Sequence, residues 1–179
     1  MAKTLEKTRK QIAKKKNGQI DSLHENSRDS KRLHRAQIRD DRLKKLEASR
    51  KKNNKPLIDR VKHLVDAVRE NDWKPLEMPA IQSAISQWVN QHNEEYEQVK
   101  KTRRPGRPAS AREDLLKMAI AALEKEHKDG FYMPDLSLEK NIQLLERWDK
   151  SWSYLTNLSW VKITAEGAGR PSNFPPQSL

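Results

Sequence analysis

The sequence predicts an all-α protein: a small helical domain, preceded by a long basic segment that is extended or conditionally helical, and followed by a flexible C-terminal tail. Three observations predict it. Apolar residues recur at helical spacing in successive stretches from Pro56 onward. A strand-like alternation occurs once, at Trp160 to Ile163, and one strand cannot make a sheet. Residues 1–55 hold 19 basic against 7 acidic side chains, which is the whole formal net charge of +12, while the remainder balances at 18 and 18.

The elements follow in order. Residues 1–55 contain only 8 Leu, Ile, Val or Phe and none of the ten aromatic residues, too little apolar surface to offset chain entropy. Residues 1–30, with Asn17-Gly18 as a turn signal, are expected to be coil in isolation. Ser30 to Lys52 favours helix by composition, but Leu33, Ala36, Leu43 and Leu46 make only a thin stripe, so that helix needs a partner.

Pro56 is a favourable first helical residue, and Leu57, Val61, Leu64, Val65 and Val68 then mark the first core helix. Asn71, Asp72, Pro75 and Pro79 break it. A second stripe, Ile81, Ala84, Ile85, Trp88, Val89, Tyr96 and Val99, predicts one helix of about five turns. Its last turns run from Glu94, Glu95 and Glu97 to Lys100, Lys101, Arg103 and Arg104, which suits the macrodipole poorly early and well at the end. After Pro105-Gly106-Arg107-Pro108, Ser110 and Glu113 read as a capping box opening a helix with the face Leu116, Ala119, Ile120 and Leu123, stopped by Gly130. Met133-Pro134 is extended. Ser137 caps a fourth helix whose face is Leu138, Ile142, Leu145, Trp148 and Trp152. The organisation expected is 1–55 as a basic RNA-binding extension, 56–164 as the helical domain and 165–179 as the tail.

Cysteine is absent, which excludes disulfides, thiolate metal sites and cysteine nucleophiles. The longest apolar run, Met118 to Leu123, is far too short to span a bilayer, so an intracellular, soluble protein with no membrane partner is expected. The five histidines lack metal-ligand spacing. Asp40-Asp41 and Glu94-Glu95 are sequence neighbours that point about 100° apart on a helix, a poor arrangement for acid/base work. With no phosphate-binding glycine loop or nucleophile elbow either, the expectation is a protein that is no enzyme and takes no cofactor, metal or small-molecule substrate.

The basic residues carry the functional signal. Lys14, Lys15, Lys16, Lys31, Arg32, Arg35, Arg39, Arg42, Lys44, Lys45, Arg50, Lys51 and Lys52 present cations along a flexible or helical rod, the arrangement that phosphate backbones reward through counterion release. Lacking aromatics, the segment is expected to contact phosphate and shape and to read little sequence. A second cluster comprises Lys100, Lys101, Arg103, Arg104, Arg107 and Arg112, uninterrupted by acid between Glu97 and Glu113. Lys100-Lys101-Thr102-Arg103 fits a nuclear-import pattern. Arg104-Pro105-Gly106-Arg107-Pro108 approximates a minor-groove hook, with Pro105 where that motif has an arginine. The tryptophans are assigned to packing.

From Lys100 onward the chain also resembles a known family. The residues that carry it are Lys100 to Arg104 with Arg107-Pro108 and Ser110, then Gly130-Phe131, Pro134 to Ser137, Lys140-Asn141, Leu145, Trp148, Trp152, Leu155 and Leu158. These resemble the translation machinery-associated protein 16 family, large-subunit assembly factors. The resemblance implies a non-enzymatic nuclear protein, of nucleolus or nucleoplasm, that joins precursors of the large (60S) ribosomal subunit. Its implied partners are ribosomal RNA, ribosomal proteins and other assembly factors. Lys150 departs from the pattern, which has a glycine there, so the turn after the fourth helix is expected to differ. Two other classes stay open on the residues alone: a chromatin-associated DNA-binding protein using the hook, and a protein-interaction adaptor.

Overall fold

A computed structural model describes residues 5–18, 23–104 and 106–176. The chain divides into two compact units, Met1–Lys55 and Pro56–Leu179.

The first unit holds more structure than its composition promises. Helix α1 (Leu5–Lys15) lies where coil is expected, and it runs antiparallel to the start of α2 (Arg28–Glu70). Its face is Leu5, Thr8 and Ile12, with Thr8 and Ile12 buried; the matching face of α2 is Asp29, Leu33, Ala36 and Asp40, with Ala36 buried. Polar contacts fix the pairing. The Asp40 carboxylate accepts the Leu5 N–H at 2.9 Å, satisfying one orphan donor at the positive end of α1, and Lys15 pairs with Asp29 at 3.0 Å. Arg32 donates to Gln11 at 2.8 Å. Ser27 caps α2, its hydroxyl accepting the Ser30 N–H at 3.1 Å, so the helix starts before Ser30. Nor does a helix begin at Pro56, which lies inside α2. Its ring is exposed, and the carbonyl it leaves without a donor belongs to the exposed Lys52, where water can serve.

The second unit is mostly helical, but it is not all-α. After α2 come α3 (Met78–Val89), α4 (Asn93–Thr102), α5 (Ala111–Asp129), β1 (Phe131–Pro134), α6 (Glu139–Glu146), a 3-10 turn (Ser153–Asn157), β2 (Trp160–Ile163) and β3 (Gly169–Ser172). The strands form an antiparallel sheet in the order β1-β2-β3, with Phe131 opposite Ile163 and Val161 opposite Pro171. Trp160 to Ile163 is therefore a strand with two partners. The extended Met133-Pro134 step is one of them; a stretch read as tail is the other. Tyr132, whose phenol burial pushes up to about 12, donates to the Asn173 carbonyl at 3.0 Å and holds that stretch down. Phe174 then stacks on Trp160 at 5.0 Å and meets Trp152 at 4.9 Å. Residues 177–179 lie outside the described residues.

The predicted α2 face, Leu57, Val61, Leu64, Val65 and Val68, is buried against Ile81, Ala84, Ile85 and Val89 of α3, the whole of β1, and Ile142 and Leu145 of α6. The five-turn helix is two helices. A turn at Asn90 to His92 separates α3 from α4, which puts Glu94 and Glu95 in the first turn of α4 and Lys100 and Lys101 in its last, the order the macrodipole favours. Helix α5 starts as expected, with Ser110 Oγ accepting the Glu113 N–H at 3.2 Å, and ends at Gly130, whose φ of 122 turns the chain into β1. Its expected face is only half-buried. Ser137 does not cap α6: its hydroxyl donates to Asp135 Oδ1 at 2.6 Å, Leu138 takes the N-cap position, and Trp148 and Trp152 fall beyond the helix end.

The turn at Lys150 keeps a glycine-like shape without the glycine, at φ 65. Hydrogen bonds from the Ser151 side chain and then from its N–H hold the Asp149 carboxyl below the usual range; the N–H reaches Asp149 Oδ1 and Trp148 Nε1 donates to the Ser151 carbonyl, both at 3.0 Å. A lysine in this left-handed conformation costs more than a glycine does. Lys150→Gly is expected to stabilise the protein by about 0.5–1 kcal/mol, a rise of about 1–4 °C in Tm by calorimetry. An unchanged or lower Tm would show the strain to be absent.

Candidate nucleic-acid interface

Basic side chains stay in water because burying an unpaired cation is costly, so an interface for a polyanion is built where a helix keeps one cationic face uncovered. Helix α2 does this in the first unit. Asp29, Leu33, Ala36 and Asp40 turn toward α1, and Arg28, Lys31, Arg32, Arg35 and Arg39 line the groove beside that contact, with Thr8 and Ala36 at its floor. The groove has a volume of about 310 Å³. Four of the five cations are among those expected. Arg28 is new: it lies one turn before Arg32, but with the helix taken to start at Ser30 that relation was hidden.

The other predicted cations of this unit are spread more widely. Lys14 and Lys15 occupy the last turn of α1, with Lys16 just after it. Lys15 is partly spent on Asp29. Arg42, Lys44, Lys45, Arg50, Lys51 and Lys52 are exposed along α2, interleaved with the exposed apolar Leu43 and Leu46. Lys51 sits 2.8 Å from Glu47, a contact that raises the lysine and lowers the carboxylate from their ordinary values through hydrogen bonding and then charge attraction.

The second cluster, at α4, the following loop and the start of α5, offers less free charge than its sequence count. Arg103 pairs with the buried Glu113 at 3.3 Å, Arg112 Nε donates to Glu95 at 3.0 Å, and Lys101 lies 3.6 Å from Glu97. Glu95 and Glu113 flank the cluster in sequence, and the loop between α4 and α5 brings each against the cation nearer the cluster's other end. Lys100 stands 6.0 Å above the Tyr96 ring. Arg104 and Arg107 are exposed and, among the described residues, form no ion pair; Pro105, the departure from the hook motif, lies outside the described residues.

Among the described residues no group of three or more His, Cys, Asp or Glu could hold a metal ion, and no helix is long and apolar enough to cross a membrane. The five tryptophans are buried or partly buried in or against the core.

A family model described as translation machinery-associated protein 16 matches residues 19–165. A protein of Saccharomyces cerevisiae named Translation machinery-associated protein 16 is 31% identical over 175 residues, covering 93% of this chain and 94% of that protein. The likeness therefore extends from the C-terminal motifs through the second unit and into α2.

Proposed function

This chain belongs to the translation machinery-associated protein 16 family, and from that premise we propose that it is a non-enzymatic assembly factor of the large (60S) ribosomal subunit, acting in the nucleus. The family name supplies association with the translation machinery. The physical reading supplies the manner: phosphate contacts to ribosomal RNA from the first unit, and docking on neighbouring proteins of the particle by the second. One observation carries it. The whole net charge of +12 lies in residues 1–55, and five of its cations, Arg28, Lys31, Arg32, Arg35 and Arg39, line one open groove. Neutralising six to ten phosphates makes affinity fall by roughly a thousandfold or more between low and moderate salt, enough to account for attachment without base recognition.

Tagged protein purified under mild salt is expected to bring down precursor or mature large-subunit RNA. Deleting residues 1–52 should leave the thermal unfolding of the remaining domain nearly unchanged and sharply reduce that recovery. Full recovery by the deletion variant would remove the segment from its role, and absence of large-subunit RNA from the intact chain would overturn the proposal. In competition, preference for AT-rich duplex DNA, abolished by Arg107→Ala, would replace it with minor-groove binding.

A further inference from the structure

The open face of α2 is a shaped site, not a length of diffuse charge. Arg28, Lys31, Arg32, Arg35 and Arg39 fall at helical intervals that return them to one side, a row about 16 Å long at 1.5 Å per residue. The turn-by-turn interval of about 5.4 Å is close to the separation of neighbouring phosphates along one strand, so the row spans about three phosphodiester steps. The two carboxylates adjoining the row in sequence bind toward α1, Asp29 to Lys15 and Asp40 to the Leu5 N–H, and among the described residues neither forms an ion pair with an arginine. Helix α1 closes one side of the groove at Thr8, and Thr8, Ile12 and Ala36 are all buried at the contact between the two helices.

We infer that the groove between α1 and α2 binds a run of successive phosphates of a single RNA strand, and that this binding requires α1 to be docked. The inference rests on the RNA-binding reading above and goes beyond it by separating five of the cations from the rest. Arginine suits the task because its planar fork can grip two phosphate oxygens at once. The cations beyond the groove, such as Lys44 and Lys45, have no second wall opposite them and contribute through general attraction only.

The test compares variants that change charge equally. Binding of the full chain to a single-stranded homopolymer RNA is measured as a function of salt. Arg35→Gln with Arg39→Gln is expected to weaken binding about tenfold or more and to reduce the salt slope by about two, whereas Lys44→Gln with Lys45→Gln stays within about threefold. Among the described residues neither pair makes a side-chain hydrogen bond or ion pair, and circular dichroism checks that helix content is retained. A second variant works against simple electrostatics. Ile12→Lys adds a positive charge and should still weaken binding, because a cation cannot stay at this buried position and α1 would separate from α2. Equal losses from the two glutamine pairs, or tighter binding by Ile12→Lys, would overturn the groove while leaving an RNA-binding extension intact. No salt-sensitive binding by the unaltered chain would overturn both.

Discussion

Glu126→Ala is expected to lower the unfolding free energy by about 3–5 kcal/mol, because it leaves a buried arginine without its counter-charge. Arg60, on the part of α2 that belongs to the second unit, has its side chain 8% exposed, and both guanidinium ends reach the Glu126 carboxylate of α5, at 2.6 and 2.7 Å. It also donates to the Tyr132 carbonyl at 3.0 Å and lies 4.4 Å from the centre of the Phe131 ring. One side chain thus ties α2, α5 and β1 together. Without Glu126, Tyr132 O is, among the described residues, the one oxygen acceptor left to a guanidinium whose Nε already has no partner there. A loss of this size is a large part of the stability of an ordinary domain, about 5–15 kcal/mol. Replacing both partners by apolar residues, Arg60→Met with Glu126→Leu, should cost much less than either single change. Urea unfolding of the four proteins in a double-mutant cycle measures this. A double variant as unstable as the sum of the singles would mean that the pair is not the tie.

That contact was invisible in the sequence, since Arg60 and Glu126 are ordinary charged residues 66 positions apart. What the sequence made legible were the features written in local periodicity: the α2 core face from Leu57 to Val68, the Ser110 cap and the Gly130 stop. The sheet failed to register for the opposite reason. All four residues of β1 are buried, so Phe131 to Pro134 shows no alternation, and β3, with Gly169 and Pro171, has the composition of a loop and is tolerable only as an edge. Helix α1 hid because one of its core positions is a threonine. For the interface, clustering of charge was plain, but which charges remain available was not. Glu113 and Glu95 neutralise Arg103 and Arg112 from outside the cluster, and Arg28 joined the groove once Ser27, not Ser30, marked the helix start.

Asn141→Asp should destabilise the second unit by about 2–4 kcal/mol at neutral pH and recover part of that loss on acidification. Asn141 is 1% exposed, and its amide joins the two ends of the β1-β2 connection. Nδ2 donates to the Asp135 carbonyl at 2.8 Å and the Ser159 carbonyl at 2.9 Å, while Oδ1 accepts the Ser159 N–H at 3.1 Å. An ionised carboxylate in the same place would face two carbonyl oxygens with nothing to donate. Burial and that repulsion would raise its pKa above the ordinary value near 4. The folded variant would then bind more protons than the unfolded chain, so its stability is highest below the ordinary carboxylate pKa and falls as pH rises through the elevated one. Protonated, the acid can donate once and accept once, which restores two of the three bonds. Asn141→Leu provides the contrast: it loses all three bonds at every pH and should show no pH dependence beyond that of the parent. Unfolding midpoints in urea at acidic and neutral pH separate the cases. A stability difference between Asn141→Asp and the parent that stays flat with pH would mean that the introduced carboxylate has reached water, and that the connection between β1 and β2 is looser than this hydrogen-bond set requires.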